Sequence, residues 1–327
     1  MLTTENNFKE KDMKLISFII PCYRSELTLE KVVDEINETM SKMLDFDHEI
    51  ILVNDCSPDN TFDKIKELSE KHDNITGIDL AKNFGQHSAL MAGFRQAKGD
   101  YIICLDDDGQ TPADEADKLI NALEGGADAV YARYNHKKHS IFRNFGTFMN
   151  EKMAEKLLGK PKDLFVSSYF GVKRFVADDM IRYQNAYPYV IGLVLRATRK
   201  IVNVDVNHRS REVGTSGYTF SKLINLWVNG FTAFSIKPLR FFTAIGAIFA
   251  FIGFLYGIYT VIKYFVIDVP MGFSSLMSVL VFVGGVIMLM LGMIGEYIGR
   301  MYISMNNSPQ YVIRTKVGKG VSDNSEK

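Results

Sequence analysis

The chain carries no net charge: 38 Lys and Arg balance 38 Asp and Glu over 327 residues. Without a basic field there is no electrostatic footprint for nucleic acid, and no such partner is expected. Cysteine is scarce. Cys22, Cys56 and Cys104 are odd in number, and no Cys/His spacing suits zinc. That excludes a disulfide framework and suggests buried thiols in a reducing compartment. No Gly-x-Gly-x-x-Gly occurs, which argues against a dinucleotide-dependent oxidoreductase. The first dozen residues are polar, and the apolar run Leu15–Ile20 is short and stopped by Pro21, so no secretory signal is read.

The most informative absence is local. No charged residue falls between Phe241 and Ile262, a run of about 22, or between Val269 and Gly295. At about 1.5 Å per helical residue each run can cross the hydrocarbon core of a bilayer. Asp268 and Pro270 sit in the short connection, so the pair reads as a transmembrane hairpin. The alternative is two buried core helices, which normally retain a polar stripe. Lys237 and Arg240 before the first run and Arg300 after the second outnumber Lys263 in the connection. Positive charge therefore sets both termini in the cytoplasm.

What is present before residue 238 alternates. Leu15–Ile20, Glu49–Val53, Ile75–Leu80 and Tyr101–Leu105 are apolar runs of strand length. Leu29–Met43, Phe62–Leu68 and Gln86–Ala97 between them have helical character. Four alternations predict a mostly parallel sheet with helices on both faces. Its ligand edge is the set of strand C-termini, carrying Tyr23, Asp55, Lys82 and Asp106–Asp108. Val166–Val172 and Ile201–Val206 read as further strands.

The stretch Tyr101–Asp114 organises the rest. A buried strand runs into Asp106-Asp107-Asp108-Gly109-Gln110, then into a helix start with Thr111 as N-cap and Pro112 as first helical residue. Three carboxylates at a strand tip repel one another. A hard divalent cation with oxygen ligands would neutralise them, and Gln110 offers a further carbonyl oxygen. A solvated acidic turn is the alternative.

Beyond the predicted strand Ala129–Tyr131, Arg133, His136, Lys137, Lys138, His139 and Arg143 interleave with Tyr134, Phe142, Phe145 and Phe148. Anion binding and a solvated basic face are both open for this segment. Arg209–Tyr218 holds Arg209, Arg211, Gly214 and Gly217, a composition suited to bidentate phosphate contacts and close backbone approach. Ser221–Ser235, with Trp227 and several Phe, reads as an interfacial amphipathic helix or a packed surface helix. Gly253/Gly257 and Gly295/Gly299 have the small-xxx-small spacing of closely packed membrane helices. Met301–Lys327 reads as a polar tail, mobile at its end.

Taken together, Ile19-Ile-Pro-Cys-Tyr-Arg-Ser-Glu26, Val53-Asn-Asp-Cys-Ser-Pro-Asp59, Lys82-Asn-Phe-Gly85, Leu105-Asp-Asp-Asp-Gly-Gln-Thr-Pro112 and Gly214-Thr-Ser-Gly-Tyr218 resemble an inverting glycosyltransferase of family 2. The similar branch makes polyprenyl-phosphate sugars. The resemblance extends through Gly295-Glu-Tyr-Ile-Gly-Arg300 and covers nearly the whole chain after residue 13. It implies a GT-A-type, Rossmann-like α/β domain followed by a C-terminal two-helix transmembrane hairpin. The expected division is an N-terminal extension 1–13, a catalytic domain 14–218, an interfacial region 219–238, a hairpin 239–300 and a cytoplasmic tail 301–327. By resemblance Pro21, Tyr23, Glu26 and Asp55 hold the nucleotide base and ribose. Lys82, Asp107, Arg209, Arg211 and Ser216 complete the donor side. Asp106, Asp108 and Gln110 match a metal site for Mg²⁺ or Mn²⁺. Arg133 and Arg143 match residues facing the acceptor phosphate, and with Asp106 and Asp108 they form the expected catalytic set. The implied partners are a nucleotide-sugar, polyprenyl phosphate, the bilayer and further copies of the chain, as a tetramer.

Two positions depart from many bacterial relatives: Ser168 stands for an Asp, and Gly217 for a Lys. A membrane-anchored enzyme acting on a glycan or lipid-linked saccharide is the competing function. A processive synthase fits less well, because no Gln-x-x-Arg-Trp surrounds the lone Trp227.

Overall fold

The computed structural model describes residues 13–134, 155, 160–207, 244, 246, 248, 251, 252, 255, 258, 259, 262, 273–305 and 308–319. The chain divides into two units. One comprises Met1–Phe148, Gly159–Gly217 and Pro309–Lys327, the other Met149–Leu158 and Tyr218–Ser308.

In the first unit the alternating pattern gives β1 (Lys14–Cys22), α1 (Leu29–Ser41), β2 (Phe46–Asn54), α2 (Thr61–Lys71), β3 (Ile75–Leu80), α3 (Gln86–Gln96) and β4 (Tyr101–Cys104). There follow a 3-10 turn at Ala113–Glu115, α4 (Ala116–Glu124), β5 (Ala129–Tyr134), β6 (Phe170–Lys173), α5 (Arg174–Ile181), α6 (Val190–Ala197), β7 (Ile201–Val206) and, after the apolar region, β8 (Ile313–Val317). The eight strands make one sheet in the order β7-β5-β6-β4-β1-β2-β3-β8. The β1–β4 run is parallel, as the alternation predicts. β6 and β8 run antiparallel to their neighbours.

Both faces are covered, which is why β1 and β2 read as continuous apolar runs. Ile16, Phe18 and Ile20 of β1 join Leu29, Val32, Val33 and Ile36 of α1 in a buried cluster that also takes Ile65 of α2 and Leu119 of α4. Ile19 points the other way, where a Cβ on Gly93 of α3 would come within 2.3 Å of it. Glycine at 93 thus lets α3 lie close against β1. Burying each such aliphatic side chain contributes about 1.5–3 kcal/mol.

Three readings need correction. After the Asp triplet a 3-10 turn starts at Ala113 and the α-helix at Ala116, so the cap position before the turn falls on Pro112, not Thr111. Instead Thr111 is buried, and its hydroxyl meets the Tyr134 phenol. The strand expected from Val166 begins at Phe170. Ser167 Oγ lies 2.8 Å from both the Ala132 and the Tyr169 carbonyl and donates to one at a time, while the Tyr169 carbonyl also accepts the Ala132 N–H at 2.9 Å. Finally, the segment after the apolar region is more than a tail: β8 completes the sheet beside β3.

In the second unit a 33-residue helix α7 runs Phe273–Met305. The stretch Phe282–Gly299 is long and apolar enough to cross a membrane, with none of it buried. Leu276, Phe282, Met288 and Leu291 are all more than half exposed. Exposure of this kind removes the core-helix alternative. The described residues of the first run, 244 to 262, are helical as well, and Ile248, Phe251 and Ile262 are exposed. A Cβ on Gly246 would meet Met290 at 3.2 Å, so the two runs touch there. Gly295 and Gly299 have no neighbour at their Cβ positions among the described residues. Ser221–Ser235 and Gly253/Gly257 lie outside the described residues.

His87, in the first turn of α3, has its Nδ1 sealed from solvent without a hydrogen-bond partner, and its ring meets Tyr189 edge-on at 5.2 Å. Burial lowers its pKa to about 4. An unfolded His titrates near 6.5, so the unfolded chain takes up the proton first and stability falls as pH drops from about 6.5 towards 4. The loss at pH 4 is at most about 3 kcal/mol. We expect His87→Gln to flatten this limb: in thermal melts, the difference between pH 7 and pH 4.5 should be smaller than in the parent.

Candidate active site

Strand order reverses at β1, between β2 on one side and β4 on the other, and the crevice beyond these strand ends is where such sheets bind ligands. The loops after β1 and β4 meet there. Tyr23 N–H donates to Asp107 Oδ2 at 2.9 Å, and Ser25 Oγ donates to the same oxygen. Thr28 Oγ1 donates to the Asp107 carbonyl at 2.5 Å. Asp107 is therefore a brace between the loops after β1 and β4, its carboxylate engaged by the Tyr23–Ser25 turn. Gly109 has φ +71°, the left-handed turn that its lack of Cβ permits.

Asp106 faces the other way. The antiparallel register pairs Cys104 with Phe170, and two residues further on it sets Asp106 against Ser168. Ser168 Oγ donates to Asp106 Oδ2, and Gln86 Nε2 donates to Oδ1 at 3.0 Å. Burial, opposed by these donors and reinforced by the charges of Asp107 and Asp108, pushes the Asp106 carboxyl up to about 6. Asp108 Oδ1 accepts the Gln110 N–H at 3.0 Å. Tyr134, from the end of β5, feels both Asp106 and Asp108, and burial with these charges pushes its phenol up to about 12.

Among the described residues no three His, Cys, Asp or Glu side chains converge as a ready-made metal cluster. The Asp107 carboxylate is engaged by Tyr23 and Ser25. What remains is a pair of carboxylates, Asp106 and Asp108, near enough for each charge to register on Tyr134. Hard oxygen donors in that number fit a small divalent ion that completes its shell with water and substrate oxygens.

On the β2 side, Asp55 is buried, and its carboxylate accepts the N–H groups of Phe84 at 2.7 Å and Gly85 at 2.8 Å. Burial raises its pKa against those two donors. Asp55 thereby fixes the Lys82–Gly85 loop, whose Lys82 ammonium lies 5.0 Å from the Phe84 ring centroid. Pro21, the last residue but one of β1, lies opposite Val53. Tyr23 is 46% exposed, and the Arg24 guanidinium lies over its ring at 5.7 Å from the centroid. Glu26 accepts from Asn60 Nδ2 at 3.2 Å. Arg24 and Cys56, just past β1 and β2, have φ +59° and +52°, strained values for residues with a Cβ.

Arg133 lies opposite Asp205 in the parallel β5–β7 pair and grips it with Nε at 2.6 Å and Nη2 at 3.1 Å. Arg143, Arg209, Arg211 and Ser216 lie outside the described residues. The Arg133 pair is exposed at both partners, so solvent screens it and it adds little to stability. The resemblance places Arg133 on the acceptor side, and on that reading we expect Arg133→Ala to shift the melting temperature little and to raise the apparent constant for the acceptor more than that for the donor. The opposite pattern would remove Arg133 from the acceptor side.

Sequence reasoning missed Gln86 and Tyr134 as site residues and left Ser168 as a mere absence of Asp. Only the antiparallel β4–β6 register carries the Ser168 signal.

Comparison with known proteins gives the family. Residues 17–181 match the glycosyl transferase family 2 model, and residues 237–301 match the GtrB C-terminal hairpin. The chain is 33% identical to an undecaprenyl-phosphate 4-deoxy-4-formamido-L-arabinose transferase of Proteus mirabilis, covering 93% of this chain and 94% of that one. It is 32% identical to the protein of the same name from Photorhabdus laumondii, over 97% and 98%. Among solved structures, glucosyl-3-phosphoglycerate synthase from Mycobacterium tuberculosis aligns with a TM-score of 0.48 at 16% identity, covering 64% of this chain and 75% of that one. The chain belongs to glycosyl transferase family 2: a GT-A-type α/β domain with a C-terminal membrane hairpin, and a glycosyltransferase.

Proposed function

We propose that this protein transfers a glycosyl group, with inversion, from a UDP- or GDP-linked sugar to a polyprenyl phosphate at the cytoplasmic face of the membrane. The observation that carries this reading is the near-full-length match, hairpin included, to relatives named as undecaprenyl-phosphate sugar transferases. We read the sugar as a hexose, with the relatives' formamido-arabinose as the first other candidate. We also read the assembly as a homo-oligomer, most simply a tetramer, with both termini cytoplasmic.

The chemistry suits the residues. Tyr23, Glu26 and Pro21 border the crevice where a base and ribose would lie, and Asp55 shapes its floor. Asp106 and Asp108, with Gln110 in the same turn, would hold Mg²⁺ or Mn²⁺, which when bound offsets the negative charge developing on the departing nucleoside diphosphate. Gln86 and Ser168 fix the Asp106 carboxylate. The acceptor supplies its own nucleophile. A phosphate monoester has a second pKa near about 6, so at neutral pH it is already an oxyanion. An alcohol at 168, where a carboxylate base would otherwise stand, accords with that. What remains for the protein is to hold two anions together, a role for Arg133, Arg143, Arg209 and Arg211, with Lys82 and Ser216 on the donor.

The test is to incubate detergent-solubilised protein with radiolabelled nucleotide-sugars, UDP-4-deoxy-4-formamido-L-arabinose among them, and undecaprenyl phosphate, with and without Mg²⁺ or Mn²⁺. Chloroform-extractable label is expected. Label confined to aqueous glycan would favour the glycan-acting alternative, and donor hydrolysis alone would overturn transfer to lipid.

A further inference from the structure

The segment that follows the membrane hairpin reaches the donor side of the catalytic sheet. β8 pairs with β3, and its register slips between Asp79 and Leu80: Asp79 lies opposite Thr315, Leu80 opposite Ile313. Arg314 is the extra residue of this bulge, and bulges re-aim side chains. Its Nη1 donates to Asp79 Oδ2 at 3.1 Å and its Nη2 to the Ala81 carbonyl at 2.8 Å.

Asp79 is 3% exposed. Its other oxygen, Oδ1, accepts Asn54 Nδ2 at 2.7 Å, as the direct β2–β3 pairing of Asn54 with Asp79 requires. Asn54 is also 3% exposed, and its Oδ1 accepts the Ser57 N–H at 3.2 Å. Ser57 Oγ in turn accepts the Arg24 N–H at 2.8 Å. A continuous set of bonds therefore runs from Arg314 to the turns after β2 and β1, whose Cys56 and Arg24 hold left-handed backbone. Strained turns persist only where their surroundings over-determine them.

Among the described residues Arg314 is the one cation within ion-pair distance of Asp79. Without it a buried carboxylate loses its counter-charge and the donor that fixes Oδ2, and its rotation towards water carries Oδ1 away from the Asn54 amide.

We propose that Arg314 is a positioning residue for the donor site: through Asp79 and Asn54 it sets the Asn54–Asp59 turn that receives the nucleoside diphosphate-sugar. This rests on the reading, made above, that the donor lies on the β1–β2 edge. It means that the polypeptide completes its donor site only after crossing and re-crossing the membrane.

The experiment uses the full chain in detergent. Arg314→Met, Arg314→Lys, Asp79→Asn and the Asp79→Asn/Arg314→Met double variant are compared for UDP and GDP binding with Mn²⁺, for kcat, for both KM values and for melting temperature. We expect Arg314→Met to weaken nucleotide binding and raise the donor KM by about tenfold, in line with loss of a charge-assisted bond, with kcat and the acceptor constant nearly unchanged. Arg314→Lys, which keeps the charge, should recover part of the loss. In the Asp79→Asn background the Arg314 substitution should add little. An unchanged donor KM in both Arg314 variants would overturn the proposal. So would a uniform loss of kcat and both KM values that tracks the melting temperature. Tyr23→Ala separates the premises. If it weakens UDP or GDP binding while the Arg314 variants do not, only the coupling fails. If it too is without effect, the donor placement fails and the proposal with it.

Discussion

Asp108→Ala is expected to abolish sugar transfer while the protein stays folded and membrane-inserted. Asp108 lies in the turn that follows β4, beside the switch in strand order, and one of its oxygens accepts a local N–H, that of Gln110 at 3.0 Å. Losing a bond of that kind costs about 0.5–1.5 kcal/mol, too little to unfold a domain whose centre is eight strands with both faces covered. The loss in catalysis is of another size. Removing a group that stabilises developing charge lowers the rate by about 10²–10³-fold, and loss of a metal ligand adds weaker donor binding. The check is turnover across a Mg²⁺ and Mn²⁺ titration beside circular dichroism and a melt. Near-normal turnover at saturating metal would remove Asp108 from the site. Asp107→Ala makes the informative comparison. Its carboxylate holds the Tyr23–Ser25 turn, so its loss should damage donor binding and stability before it damages metal dependence.

The contrast between Asp107 and its neighbours shows what was readable in advance. Placing three carboxylates at one strand tip needed only the apolar run before them and Gly109 after them. Dividing their roles needed the pleat and the neighbouring loops, because Asp106 meets Ser168 only through an antiparallel strand some sixty residues away. The parallel core was readable for the same reason the tip was: its strands are buried on both sides and so are uniformly apolar. β8 was not. Ile313-Arg-Thr-Lys-Val317 has two cations in five residues and reads as solvated chain. It is a strand because the open edge of β3 pairs with it, an interaction local propensity does not encode. The missed helix start has a similar cause, since Thr111 is drawn from its capping role by burial against Tyr134. One practical consequence concerns truncation. Deleting 239–327 would remove the hairpin and also strip β8 from β3, leaving Asp79 without Arg314. It therefore does not isolate the hairpin's contribution.

Substitution within the hairpin does isolate it. Met288→Arg with Leu291→Arg places two charges one turn apart near the middle of Phe282–Gly299, at side chains that are 74% and 60% exposed. Each Arg at the centre of a spanning helix costs about 2.5–3.5 kcal/mol of insertion, so the pair is expected to move much of the protein from the carbonate-resistant membrane fraction into the extractable one. The first unit has its own core and shares neither position, so UDP or GDP binding by the solubilised variant should persist. Activity should then divide by acceptor. An undecaprenyl chain is confined to the bilayer because burying each CH₂ is worth about 0.8 kcal/mol, and an enzyme no longer held at that surface meets its phosphate rarely. Transfer to undecaprenyl phosphate in vesicles should fall by at least about tenfold, the equivalent of 1.4 kcal/mol, while transfer to a short, water-soluble prenyl phosphate stays near the parent rate. Met288→Leu with Leu291→Ile, which keeps the surface apolar, should match the parent in both assays. A doubly charged variant that remains carbonate-resistant and fully active on the long-chain lipid would show that α7 does not span the membrane.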